Sequence, residues 1–514
     1  MTEKMRISAI ALVVLKIAVP NAKGNPNVIV VMTDQQRADL CKREGFSLDV
    51  MPFADSLAAT NVWFDRAYTS APASVPARTS LMTGRFPKAT HVRTNHNIAD
   101  AYFLKDLPSV MHESSYVTAM IGKNHTYLTP KDMDYWNPYS HNGNARKDVP
   151  GSREFSEFAK KTTGFYLEPS PVGVEHQQPY QIVSDALDWI EQHKDTSFFA
   201  WISIPEPHNP YQVPEPYYSM FPPESLPPNE VADVHDKDEK YQILFYLEEL
   251  AGLNNPDILP RLRSNYLGML RLIDDQMRRL VSGLKRMGVY ENTIIVYLSD
   301  HGDYVGEYGL MRKGAGVPDV LMRIPMIWTG PGIVDNYGRS AAHVSIVDVF
   351  PTICEAIGVE IPEGVQGRSL WPILTGEKFP ESEFDSIIAE QGFGGADYPL
   401  DSDLTFEEEG CLSRKRTGAM DELNTWTQSG ARRMLRMGRW KLVVDNYGNC
   451  MLYDVEKDPY EVDDLSQKRR FCELKNQMLI KMTAWEIRTQ DPLPLPPRRY
   501  KFKTELHNYL WLSE

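Results

Sequence analysis

The chain is short of cysteine, lacks any excess of basic residues and has no long apolar run, and each shortage removes a class of function. Its five cysteines, Cys41, Cys354, Cys411, Cys450 and Cys472, form no C-x-x-C pair, so zinc-ribbon and thioredoxin-like readings have no support. Spacing leaves a Cys450–Cys472 disulfide open, and an odd count in an exported chain leaves at least one thiol unpaired. The formal charge of -14 argues against a nucleic-acid partner, because a duplex binder needs a basic face to displace counterions. An anionic substrate would therefore have to meet a local cluster of cations. No segment approaches the roughly 20 apolar residues of a membrane helix, and no internal repeat is present.

What is present is a soluble globular composition, 42% hydrophobic and 24% charged, in 514 residues, enough for a large core and more than one compact unit. At the N-terminus Lys4 and Arg6 precede an apolar run over 7–15, and a polar stretch follows at 22–24. This fits a secretory signal peptide over residues 1–24 and predicts export, with a periplasmic location in a bacterium; Lys16 shortens the apolar section and no A-x-A site marks the cut.

Short apolar runs ending at polar residues alternate with helical patterns. Residues 27–32, 117–121, 198–204 and 293–298 read as buried strands, and a helix is expected around Ile182, Ala186 and Ile190. Tyr266, Leu270, Ile273, Met277, Leu280 and Leu284 draw one apolar face of a long helix ending near Gly288. Strands separated by helices predict a mostly parallel sheet covered on both faces, with ligands beyond the carboxyl ends of the strands. Past residue 380 the texture changes. Residues 381–410 are acidic and broken by glycines, 440–453 read as a hairpin around Asn446-Tyr447-Gly448-Asn449, and 491–497 form a Pro-rich strap. The expected division is a catalytic unit over 25–380 and a smaller C-terminal α+β unit with an antiparallel sheet over 381–514.

The strand ends carry the chemistry. Asp34-Gln35 and Asp300-His301 supply hard oxygens and an imidazole on neighbouring strands, a donor set suited to Ca²⁺ or Mg²⁺, with Mn²⁺ open through the histidine. Arg78, Lys123, His125, His208 and Lys313 belong to loops opening at the same edge, and five such groups beside a metal would form a pocket for a tetrahedral oxyanion. The stretch SVPARTSLMTGR (74–85) reads as a helix start, with Ser74 able to cap the first amides and Gly84 to end the helix. Arg78 stands one turn after Ser74, on the same face, where it could grip an anion in bidentate fashion.

SVPARTSLMTGR resembles the signature of type I sulfatases, in which Cys or Ser, one variable residue, Pro, Ser or Ala, and Arg precede a Thr-Gly pair. The resemblance continues through TDQQRAD (33–39), YVTAMIGKNH (116–125), PEPHNPY (205–211), LSDHGDYVGEYGLMRKG (298–314) and LYDVEKDPYEVDDL (452–465). It implies an alkaline-phosphatase-like α/β fold and a formylglycine (3-oxoalanine) nucleophile, formed from Ser74. It further implies a metal, Ca²⁺ in most readings, held by Asp34, Gln35, Asp300 and His301 together with the modified Ser74. Arg78 and Lys123 would orient and neutralise formylglycine and sulfate, His125 would accept a proton, and Lys313 and His208 would contact sulfate and the leaving oxygen. Ser-type members resemble those matured by a radical-SAM enzyme, here a cytosolic partner acting before export.

Two adjacent aspartates followed by Asp-Asn are common in the family; Asp34-Gln35 and Asp300-His301 instead resemble phosphonate monoester hydrolases and choline sulfatases. The expected substrate is a sulfated carbohydrate, with His91, Arg93, Asn95 and His96, and Arg414 to Arg416 in the second unit, as candidate sugar contacts. The alternatives are a phosphonate or phosphodiester hydrolase on the same fold, or a glycan-binding protein with unmodified Ser74.

Overall fold

The computed structural model describes residues 25–141, 143–144, 152–162, 164–400, 423, 429–490 and 507–509. The expected signal peptide, Arg414 to Arg416, Cys411 and the Pro-rich strap lie outside the described residues. The strands are β1 (Asn27–Asp34), β2 (Val62–Phe64), β3 (Ala67–Tyr68), β4 (Val117–Lys123), β5 (Tyr135–Ser140), β6 (Gly143–Asn144), β7 (Phe198–Pro207), β8 (Thr293–Ser299), β9 (Met326–Thr329), β10 (Gly338–Ser340), β11 (Val344–Ser345), β12 (Ser386–Asp397), β13 (Ser429–Met437), β14 (Trp440–Asp445) and β15 (Cys450–Asp454).

Nine of them form one sheet in the order β10-β2-β9-β8-β1-β7-β4-β5-β6. Its centre, β8-β1-β7-β4-β5, is parallel throughout, and β9 and β6 enter antiparallel near the edges. β1 is buried along its whole length, and its alternation shows why the run is apolar at every position. Val28, Val30 and Met32 face one core layer with Ala77 and Leu81, whereas Ile29 and Val31 face another with Ile190 and Leu270. A strand covered on both faces has no solvated side to carry polar residues. The helices Gln178–His193 and Leu259–Arg286 cover the second face, and all six residues of the apolar stripe on the longer helix are buried there.

The four-stranded sheet β12-β13-β14-β15 is antiparallel, and β14 and β15 form the hairpin expected from the sequence. The acidic, glycine-broken stretch after 380 carries a strand that the sequence does not mark. Residues 386–397 form β12, whose first half, Ile387 to Ala389, is buried against the main core. The C-terminal sheet is tied down by Lys441, buried in β14, whose ammonium donates to Asp319 (2.8 Å) and Glu461 (2.7 Å). Trp485, on the helix Cys472–Thr489, packs edge-on against Phe86 just after the 74–85 segment. Near the chain end Asn508 donates to the carbonyls of Val365 and Gly367, and the Tyr509 hydroxyl to that of Ser369. Cys450 and Cys472 are free thiols, as are Cys41 and Cys354.

One close approach sets the depth of Lys123. At Gly122 (φ 116°) β4 lies so near β7 that an added Cβ would sit 1.8 Å from the Ser203 carbonyl oxygen. Gly122→Ala therefore has to part the two strands that carry Lys123 and Ser203. It is expected to destabilise the protein by about 3 kcal/mol or more, read as a lowered urea midpoint, and to depress activity in the fraction that remains folded.

Candidate active site

β1 and β8 pair in register at Thr33 and Ser299, so Asp34 and Asp300 leave adjacent strands at one level. Both are fully buried. Gln35 turns through a left-handed conformation (φ 68°), which aims its backbone N–H at Asp300 Oδ1 (3.0 Å). The same oxygen accepts the His301 N–H (2.8 Å). His301 Nδ1 lies 2.9 Å from the Gly302 carbonyl. That carbonyl fixes the proton on Nδ1 and leaves the Nε2 lone pair facing the cluster. Ligand atoms of Asp34, Asp300 and His301 all lie within 4.8 Å of one another. Two carboxylates and a neutral imidazole converging in a buried site fit a divalent cation.

Ser74 opens the helix Ser74–Thr83, but it does not cap it. The residue before the first turn is Ala73, with no side-chain cap, and the Ser74 hydroxyl leaves the helix for His301 Nε2 (3.0 Å) and Asp34 Oδ1 (3.3 Å). The free amide of Val75 is satisfied instead by Asn95 Oδ1 (3.0 Å). The other end behaves as expected, with Gly84 in a left-handed conformation (φ 62°). Ser74 is only 1% exposed.

Arg78 is fully buried, and two of its three guanidinium nitrogens are taken up by the protein, while the third has no hydrogen-bond partner among the described residues. Nε donates to Asp300 Oδ2 (2.7 Å), while one terminal nitrogen donates to the Lys123 carbonyl (2.9 Å) and Ser203 Oγ (2.7 Å). The other lies 3.3 Å from Asp34 Oδ2. The Lys123 ammonium also meets Asp34 Oδ2. Burial opposes ionisation of Asp34, yet the positive charges beside it, Lys123 first and Arg78 with it, hold its carboxyl well below the usual range. Burial brings the Lys123 ammonium down to about 8 despite its partner.

Lys313 Nζ donates to Gln35 Oε1 (2.8 Å) and lies 3.4 Å from His208 Nε2. His208 Nδ1 is 2.7 Å from the Asn209 carbonyl, so its Nε2 is the acceptor facing Lys313. Burial, then neighbouring positive charge, holds His125 and His208 well below the usual histidine range, so both are neutral. His125 is half-buried; among the described residues its Nδ1 has no hydrogen-bond partner, and it makes no hydrogen bond to Ser74.

Three contributors escaped the sequence reading. His141 sits at the turn after β5, 2.8 Å from Lys123 Nζ and stacked on His208 at 3.8 Å between ring centres. Nothing in the sequence Ser-His-Asn-Gly marks it. Asp303 accepts from Gln35 Nε2 and from the Tyr211 hydroxyl (2.6 Å), which turns the Gln35 amide oxygen toward Lys313. Its position two residues after His301 was the available signal. The third is Ser203, in the middle of β7, whose hydroxyl accepts from Arg78 (2.7 Å).

The expected sugar contacts divide. Asn95 stands at the helix start beside Ser74, and Arg93 reaches across to β12, donating to the Phe393 carbonyl (3.4 Å). His91 and His96 are exposed, and His91 stacks on Tyr102. β12 also donates from Gln391 to the carbonyl of Gly314, next to Lys313.

A sequence profile of the sulfatase family matches residues 26–359. The chain is similar to an arylsulfatase of Clostridium perfringens, 25% identical over 399 residues, covering 72% of this chain and 82% of that protein. It is similar to an ulvan-active sulfatase of Formosa agariphila, 26% identical, covering 89% and 80% respectively. Among solved structures it shares its fold with a phosphonate monoester hydrolase of Agrobacterium radiobacter, TM-score 0.71, 22% identical, covering 90% of this chain and 96% of that one.

Removing Arg78 leaves two buried carboxylates short of a partner. Arg78→Met is expected to cost about 3–5 kcal/mol of folding stability, measured by chemical denaturation. Arg78→Lys keeps the charge but not the fork, and should recover only part of that loss.

Proposed function

The chain belongs to the sulfatase family and is a sulfuric ester hydrolase, and from that premise we propose that it removes O-sulfate from sulfated carbohydrate, using Ser74 after oxidation to formylglycine, beside a divalent cation. The observation that carries this is the direction of the Ser74 hydroxyl, which abandons the capping role for His301 and Asp34. The metal would be held by Asp34, Asp300 and His301, with the Gln35 amide oxygen close by, and Ca²⁺ suits that hard donor set best. Formylglycine would supply a hydrated aldehyde whose hydroxyl attacks sulfur, and the cation would stabilise the negative charge beside it.

The protein's own groups do the rest. Asp34 and Asp300 are neutralised in advance by Arg78 and Lys123, so an incoming sulfate faces a site without excess negative charge. Lys313 holds a proton against His208 Nε2, and this pair can give it to the oxygen leaving the sugar. His125, neutral and with an Nδ1 that has no partner among the described residues, is suited to take a proton. Arg93, Asn95 and the Gln391–Phe393 part of β12 would line the approach, so the C-terminal unit would contribute to choosing the sugar. We divide the chain accordingly into a catalytic unit over 25–380 and a C-terminal unit over 381–514. Among the described residues no helix is long and apolar enough to cross a membrane. Export to the periplasm through residues 1–24, and maturation by a radical-SAM enzyme beforehand, complete the reading.

Carbohydrate is favoured by the ulvan-active relative and by the polar approach around Arg93 and Asn95. The Gln35 and His301 pattern favours a second reading, a phosphonate monoester or phosphodiester hydrolase. Turnover of an aryl sulfate, a sulfated oligosaccharide and a phosphate diester, assayed side by side on matured protein, separates the two. The expected result is sulfate release faster by orders of magnitude; a comparable preference for the diester would overturn the reading. Ser74→Ala should lower kcat by about 10³-fold or more. Dialysis against a chelator should depress kcat reversibly, with Ca²⁺ restoring it.

A further inference from the structure

Behind His208 lies a small cavity with about 10 Å³ for the centre of a water-sized sphere, lined by Gln178, Glu206, Asn209, Gln212 and the rings of His141 and His208. That is room for a single water or a monatomic ion. Among the described residues, four buried side-chain oxygens here have no hydrogen-bond partner: Gln178 Oε1, Glu206 Oε2, Asn209 Oδ1 and Gln212 Oε1. Glu206 is 4% exposed, and Gln178 and Gln212 are 2% exposed each.

The hydrogen-bond network determines which atoms are left over. Gln177 Nε2 donates to the Val172 carbonyl (2.8 Å) and Ser170 Oγ (3.3 Å), so Gln177 Oε1 is the atom that accepts from Gln212 Nε2 (2.9 Å). Gln212 Oε1 is thereby left over. Gln178 Nε2 donates to Glu206 Oε1 (3.4 Å), which leaves Gln178 Oε1 and the second carboxylate oxygen. The histidines form wall rather than ligands. His208 is committed to the Asn209 carbonyl and Lys313, and His141 Nε2 to Lys123.

We propose that Glu206, Gln178, Asn209 and Gln212 form a second cation site, distinct from the Asp34 cluster, for a hard, oxygen-seeking ion of the sodium or calcium type. A water has two hydrogens and so can satisfy at most two of the four oxygens, whereas a cation satisfies all of them at once. An all-oxygen set with one carboxylate suits alkali or alkaline-earth ions and not zinc or copper. Among the described residues Glu206 has no ion-pair partner, and burial pushes its carboxyl up to about 8. A bound cation would reverse that shift and supply the missing charge. It would also bear on catalysis indirectly, because the Asn209 carbonyl holds His208 Nδ1.

Anomalous diffraction tests this directly. Crystals grown without sodium or calcium are soaked in thallium(I), which stands for monovalent ions, or terbium(III), which stands for calcium. A peak between Glu206 and Gln178 with either ion upholds the site and tells its valence class; no peak with either overturns it. Terbium at Asp34 and Asp300 serves as the internal control for soaking. Glu206→Gln keeps the shape and should abolish the peak, and Gln212→Leu, which keeps the charge, should weaken it. A peak of full height in both variants would contradict the assignment.

Discussion

Two carboxylates with no exposure to water, at the ends of adjacent parallel strands, constrain everything around them. Burying one ion uncompensated costs more than most single interactions return, so Asp34 and Asp300 require cations brought in close. Arg78 meets both, and Lys123 completes the neutralisation. Arg78 can arrive only on a helix that points its first turn at the strand ends. That helix therefore presents its own N-terminus, and Ser74 with it, to the same place. The four-residue spacing of Ser74 and Arg78 thus serves the balance of buried charge, and it leaves one terminal nitrogen of the arginine, without a hydrogen bond among the described residues, beside Asp34.

The same economy governs the outer ring. His125, His141 and His208 are kept neutral by burial and by the cations around them. Neutral rings can accept and pass protons without adding charge to an already crowded site. The Asp303 carboxylate, by accepting from the amide nitrogen of Gln35, turns that amide's oxygen toward Lys313. In the proposed site a glutamine would replace a second carboxylate only with its orientation fixed from behind, and Asp303 with Tyr211 fixes the Gln35 amide.

Much of this was legible because it follows from strand ends. The apolar runs at 27–32, 117–121, 198–204 and 293–298 mark four strands that pair as neighbours, and whatever follows each run must meet the others. Asp34, Lys123, His208 and Asp300 were therefore recoverable from the chain alone. What was lost depends on contacts between distant segments. The capping role read for Ser74 is sound local chemistry, overruled by His301 some 227 positions away. His141 stands in an unremarkable turn and gains its place from the stacking partner across the sheet. β12 was hidden because its second half is glycine-rich, and its strand character comes from pairing with β13.

The sulfatase relatives and the phosphonate hydrolase share one scaffold, so the fold alone does not choose between sulfur and phosphorus. Turnover of the competing esters makes that choice, whereas what stands at position 74 decides whether the protein is a catalyst at all or an unmodified glycan-binding protein. The most direct measurement is the intact mass of the peptide spanning Ser74, from protein produced with a radical-SAM maturase. Conversion to formylglycine predicts a loss of roughly 2 Da relative to serine. An unshifted serine peptide in protein that turns over sulfate esters at full rate would contradict the account.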